Sequence, residues 1–121
     1  GFSNSNELFA YHVPSNRWRL ISETSSRAPS ARYGQSMVMY KSLIIVWGGT
    51  YGNEFPADIN IFDTHTKIWL DIDGYVKGSP PVGRYRHEAL VKKDSMFIYG
   101  GCSEDTFSDI YEYRILINTW H

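Results

Sequence analysis

Three of the four tryptophans, Trp18, Trp69 and Trp120, stand at intervals of 51 residues. Other landmarks keep nearly the same beat. Gly48-Gly49 returns as Gly100-Gly101 after 52 residues, and Pro29, Arg32 and Tyr33 return as Pro81, Arg84 and Tyr85 at the same interval. An aromatic residue stands seven positions before each of these tryptophans: Tyr11, Phe62 and Tyr113. Independent markers sharing one period identify a repeat array, in which each unit covers its apolar face with its neighbour.

Within one period the sequence reads as short strands. "QSMVMY" and "HEALV" are apolar runs, "LIIVW" and "SMFIY" lead into the glycine pairs, and "DINIF" and "DIYEY" alternate. A last piece opens at the tryptophan, as in "WRLI" and "WLDI". Turn residues punctuate them ("PSN" at 14–16, "DTHT" at 63–66, "DGYVKGSPP" at 73–81), and no window carries a capped helical stripe. Four strands in about 50 residues make the antiparallel blade of a β-propeller. The chain is therefore expected to be all-β, with the outer strands of one blade in 1–21, a second blade in 29–72 and a third in 81–121. Aligned on its tryptophan, Gly1 falls near the second glycine of a third pair. Two nearly complete blades and the outer half of another cannot close a ring of about 4–8 blades. The expectation is a segment of a longer propeller.

Composition narrows the partners. At 121 residues and 42% hydrophobic content the chain has the size and core of one ordinary domain. A formal charge of −1 lacks the basic face that nucleic acid demands. Cys102 is the only cysteine, so no internal disulfide can form, which fits a reducing compartment. "GFSNSNELFA" has neither the basic start nor the apolar run of a signal peptide, and "SLIIVW" is too short to span a bilayer. These features predict a soluble protein of the cytoplasm or nucleus with no membrane or nucleic-acid partner.

Pro-x-x-Arg before a strand, an apolar strand ending in Gly-Gly, and aromatic-x6-Trp together resemble kelch repeats, over essentially the whole chain. The resemblance implies a partial kelch β-propeller. Its glycine pairs would admit close approach of a neighbouring blade, and its tryptophans would pack between blades.

Antiparallel pairing of a blade's first two strands returns the end of the second beside the start of the first. The loops "TYGNEFP" (50–56) and "CSEDTFS" (102–108) therefore share a rim with Arg32–Gln35 and Arg84–His87. The candidate ligand-binding residues are Arg86, Tyr85, Arg84, His87, Tyr33, Gln35 and Tyr51. A guanidinium offers a bidentate fork for a carboxylate or phosphate, and the tyrosines add flat amphipathic surface. Arg32 and Arg84 recur together with their tyrosines, which favours an architectural role for both. The next two positions differ, Gly34-Gln35 against Arg86-His87. Kelch blades commonly read Gly then His here, so Arg86 and Gln35 are the departures. Arg86 is either the anion-binding group of a site or a solvated loop arginine, and the residues alone leave both open.

Other chemistry is poorly supported. His12, His65, His87 and His121 fall at different points of the repeat, with no local ligand pair for a metal. "DIDG" at 71–74 opens like a calcium loop but lacks its later acidic ligands. No nucleophile elbow or phosphate loop occurs. No metal or cofactor is expected.

"ARYGQSM" and "GRYRHEAL" are most similar to kelch-domain substrate receptors of cullin–RING ubiquitin ligases. The resemblance implies a peptide or protein substrate, in some members a C-terminal degron. Its carboxylate would be held by arginines and aromatic or hydroxyl groups on this rim. Carried over by position, these are Tyr85 and Arg86 after Arg84, with Tyr33 and Gln35 after Arg32. Elongin- or cullin-type ligase subunits would be engaged through segments outside this chain. One departure stands: neither Thr50–Pro56 nor Cys102–Ser108 contains the arginine that some such receptors carry after a glycine pair. The alternatives are a structural or cytoskeletal kelch scaffold and, from a different class, a propeller enzyme. A copper-radical oxidase would use tyrosines, histidines and a cysteine. A glycosidase would need converging carboxylates from Glu54, Glu88, Glu104 or Asp105. The expectation is a non-catalytic binding module.

Overall fold

The computed structural model describes residues 4–22 and 27–121; Gly1, which the repeat spacing aligns with a glycine pair, lies outside them. The fold is all-β. Strands β1 (Leu8–His12) and β2 (Arg17–Ser22) form a two-stranded hairpin. Strands β3 (Ser36–Tyr40), β4 (Leu43–Trp47), β5 (Ile59–Asp63) and β6 (Ile68–Trp69) form one antiparallel sheet in sequence order. Strands β7 (Glu88–Lys92), β8 (Ser95–Tyr99), β9 (Ile110–Arg114) and β10 (Thr119–Trp120) form a second, with a short 3-10 turn at Ile115–Ile117 before β10. The fourth strands are shorter than their sequences suggest: "WLDI" contributes only Trp69 to β6.

The aromatic-x6-Trp signature builds the same object three times. It places the two rings directly opposite each other across the outer hairpin, Tyr11 beside Trp18, Phe62 beside Trp69 and Tyr113 beside Trp120. Their ring centroids are 4.9, 5.1 and 5.0 Å apart. Each hairpin turns through a left-handed residue, Asn16, Lys67 or Asn118. Where that residue is Asn, its side-chain oxygen accepts the tyrosine hydroxyl: Tyr11 to Asn16, and Tyr113 to Asn118 at 2.6 Å. In the middle copy Phe62 has no hydroxyl and Lys67 no acceptor, so the pair is lost as a unit.

The core lies between the sheets. Tyr40, Ile45, Trp47, Ile59 and Ile61 of the first four-stranded sheet pack on Met96, Ile98, Tyr113, Ile115 and Trp120 of the second. Trp47 and Trp120 meet at 5.6 Å. On its other face the first sheet packs Val46, Phe62 and Trp69 against Leu8 of the hairpin. Polar ties run along the main seam. Tyr40 donates to Asp94 (2.6 Å), Gly49 N to Arg84 O (2.9 Å) and Arg86 N to Gly34 O (2.9 Å). Gly48 shows why the glycine pair is needed. Its φ is +73°, and a Cβ there would lie 2.6 Å from the His87 ring and 2.9 Å from Arg84 O.

The segment between the two sheets does more than connect them. Lys77 lies parallel to β10, donating to Asn118 O (2.8 Å) and accepting from Trp120 N (2.9 Å). The last strand of the second sheet therefore has its outer edge covered, which removes a free pairing edge. Gly78 makes this approach possible, since a Cβ would fall 2.4 Å from Trp120 O.

Candidate functional site

Each four-stranded sheet is entered through Pro-x-x-Arg, and both arginines are buried against the glycine pair of their own sheet. Arg32 donates to Gly48 O (3.0 Å), Ser30 O (3.1 Å) and Asp58 (3.1 Å). Arg84 donates to Gly100 O (3.1 Å), Val82 O (3.0 Å) and the Asp109 carboxylate, with its guanidinium 3.8 Å from the Phe107 ring centre. Burial pushes the Asp58 carboxyl up, but hydrogen bonds from Arg32 and Asn60 outweigh it and hold its pKa below the usual value. These arginines fix the glycine-pair carbonyls in place of ordinary strand pairing, which is the architectural role their recurrence suggests.

Two of the candidate residues, Arg84 and His87, are buried. Arg84 is only 1% exposed, and its donors are engaged by the carbonyls and the carboxylate just named. His87 is buried in the seam, its ring 4.9 Å from Trp47 and its Nε2 2.8 Å from Ser36 Oγ. Because the Ser36 hydroxyl donates to Trp47 O, it accepts from Nε2–H. Nδ1 is left buried and without a partner among the described residues. Burial, with the positive charge of Arg84 nearby, lowers the His87 pKa to about 4. It is a neutral seam residue.

Antiparallel bridges Tyr33–Thr50 and Tyr85–Cys102 bring the glycine-pair loops beside the sheet entrances, as the strand order requires. On this rim Tyr85 is the hub. The exposed Tyr33 ring meets it edge-on at 6.2 Å, the Phe55 ring lies at 5.9 Å, and the Arg86 guanidinium sits 5.4 Å above it. Phe55 was not among the candidates, although it lies within the "TYGNEFP" loop that sequence places on the rim. Gly83 lets the Phe55 backbone approach, since a Cβ there would overlap the Phe55 carbonyl.

Arg86 is exposed, has φ +58°, and has no carboxylate partner among the described residues. Its sister Gly34 adopts φ +73°, the conformation for which glycine is suited. Holding a side chain there costs about 1–2 kcal/mol. The remaining candidates, Gln35 and Tyr51, line two other hollows. Gln35 faces a small cavity of about 70 Å³ with Asn6, Met37 and Trp69. Tyr51 lines a polar cleft of about 450 Å³ with Arg27, Arg32, Asp58 and Asp71, its ring 5.9 Å from the Arg32 guanidinium. Among the described residues no group of three or more His, Cys, Asp or Glu side chains is placed to hold a metal, and no helix is long and apolar enough to cross a membrane.

Comparison with known proteins agrees with this architecture. The chain is 32% identical to Kelch domain-containing protein 10 of Rattus norvegicus, over 99% of this chain and 30% of that protein. It is 31% identical to the Homo sapiens protein of the same name, over 99% of this chain and 28% of that one. It is 30% identical to a Leucine-zipper-like transcriptional regulator 1 homolog of Drosophila melanogaster, over 94% of this chain and 12% of that protein. The chain thus spans less than a third of these relatives. Residues 1–121 match the KLHDC2/KLHL20/DRC7 Kelch-repeats domain, and the chain belongs to that family of kelch-repeat propellers.

Proposed function

We propose that this chain is a non-catalytic recognition module, part of a kelch propeller that binds a peptide or protein and acts as the substrate-recognition subunit of an intracellular ubiquitin ligase. The feature it reads is a C-terminal carboxylate. Elongin- or cullin-type subunits are engaged by segments outside this chain. The observation that carries the reading is Arg86: an exposed arginine, unpaired with any described carboxylate, held in a glycine conformation beside an aromatic cluster. Strained residues concentrate where function maintains them. A guanidinium with free donors beside ring faces suits a carboxylate at the end of an apolar peptide. Support also comes from similarity to Kelch domain-containing protein 10 of two mammals.

The test is a C-terminal peptide library screened against the intact protein, with Arg86→Ala beside it. Defined terminal sequences should bind, amidation should abolish binding, and Arg86→Ala should weaken it about tenfold or more, the worth of a charge-assisted hydrogen bond. Binding that ignores the terminus would point instead to a structural scaffold holding an internal epitope. Stoichiometric copper in the purified protein would overturn the non-catalytic reading.

A further inference from the structure

The rim residues precede β3 and β7 and follow β4 and β8, so the hairpin turns of both four-stranded sheets lie at the opposite end. Tyr40, Leu43, Asp63 and Ile68 form the last rung of the first sheet there. Lys92, Ser95, Arg114 and Thr119 form that of the second. Hydrogen bonds join the turns beyond these rungs. Thr64 N donates to Ser42 O (3.0 Å), Ile115 N donates to Asp94 O (3.0 Å), and the Tyr40–Asp94 bond ties the turns of one sheet to those of the other. The four turns make one continuous plate.

Charge is segregated along this axis, which a formal total of −1 conceals. The plate carries Lys41, Lys67, Lys92, Lys93 and Arg114 against Asp63 and Asp94. Both carboxylates are already engaged, Asp63 with the amides of His65 and Thr66 and Asp94 with the Tyr40 hydroxyl. None of the four lysines has an ion-pair partner among the described residues. Three of them also stand in an unfavourable backbone. Lys41, Lys67 and Lys93 turn their hairpins at φ +52°, +60° and +55°. Asn16 and Asn118 make the left-handed turns of β1–β2 and β9–β10, and asparagine tolerates that conformation better than lysine. The hairpins need the conformation; they do not need the charge.

One corner of the plate is apolar. Leu116 and Ile117, at the tip of the β9–β10 turn, are 67% and 57% exposed, where the sister turn carries His65 and Thr66. We propose that the turn end is a docking surface for an anionic lipid bilayer. Leu116 and Ile117 enter the interface, and Lys41, Lys67, Lys92 and Lys93 meet the acidic headgroups. A projecting tip has no walls to enclose a peptide, but it sinks readily into a soft surface, where apolar and electrostatic contributions add. An apolar span is needed to cross a bilayer, whereas docking from one side needs none. The rim then faces away from the membrane and stays open.

The experiment is flotation of the intact protein with vesicles of phosphatidylcholine, alone or mixed with phosphatidylserine. The protein should float with the mixed vesicles and stay in solution with the neutral ones. Combining Lys41→Asn, Lys67→Asn and Lys93→Asn should weaken partition about a hundredfold, each lysine near the surface being worth about fivefold. The urea midpoint of that variant should be unchanged or higher, because asparagine suits the turns. Leu116→Ser should weaken partition about tenfold. Failure to float with the mixed vesicles, equal flotation with the neutral ones, or full partition of the asparagine variant overturns the proposal. Binding to polyglutamate or duplex DNA as tight as to the mixed vesicles, and insensitive to Leu116→Ser, assigns the plate to a soluble polyanion and also overturns it.

Discussion

The amide of Arg86 donates to the carbonyl of Gly34 across the seam, at 2.9 Å. The two residues occupy the same step of consecutive repeats, share a left-handed backbone, and differ in everything a side chain supplies. That difference separates stability from recognition.

Arg86→Gly should stabilise the fold while weakening ligand binding. Relief of the left-handed arginine is worth about 1 kcal/mol, and loss of the guanidinium about a tenfold rise in Kd for a carboxylate-ended peptide. Urea unfolding and peptide titration on one sample measure both. Loss of stability together with binding would show that Arg86 holds the fold rather than the ligand.

Stability should fall as acid charges His87. Its pKa is about 4 in the folded chain and 6.5 as the ordinary value, so between those limits the unfolded chain binds more protons. Its contribution is complete above pH 6.5 and declines as pH falls towards 4, by up to roughly 3 kcal/mol. Denaturant midpoints at stepped pH should show this slope, and His87→Asn should flatten it. An equal slope in the variant would place the responsible group elsewhere.

Arg84→Met should cost about 3 kcal/mol, because it leaves two backbone carbonyls and the Asp109 carboxylate without their donor. Arg84→Lys should rescue less than its preserved charge suggests, since an ammonium cannot span the fork. Equilibrium unfolding decides it, and a loss below about 1 kcal/mol for the Met variant would refute the architectural role.

Gly78→Ala should free the edge of β10. The added methyl meets the Trp120 carbonyl, so the Lys77 strap must lift away. The Trp120 amide, which donates to Lys77 O, should exchange with deuterium about tenfold faster. Gly74→Ala, with the same sign of φ and open space around it, should leave that amide unchanged.

The fold was legible because its markers are tied to geometry that only one arrangement satisfies. Aromatic-x6-Trp is the spacing that sets two rings opposite each other across a hairpin, and the glycine pair marks where strand and neighbour converge. The rim followed from strand order. What stayed hidden was the direction of each side chain within it. Arg84, Arg86 and His87 lie within four residues, yet one supports the glycine loop, one faces solvent and one enters the seam. The left-handed turn at Arg86 redirects the chain between them, and nothing in the letters reports a φ for a residue that is not glycine. Phe55 was missed because its partner Tyr85 belongs to the next sheet, so the contact has no local signature. Gln35 and Tyr51, which sequence also places on the rim, line hollows that do not include Tyr85.

The strap at Lys77 bears on how such proteins can be recombined. It is encoded before the first strand of the sheet whose last strand it borders, so that sheet is complete only if the stretch leading into it travels along. A crossover at residue 80 would deliver all four strands and still leave one border bare. One at residue 74 would carry the border with its sheet. The exchangeable cassette is therefore offset from the visible blade by the length of this strap. Grafts that respect the offset should transfer cleanly where blade-for-blade swaps do not.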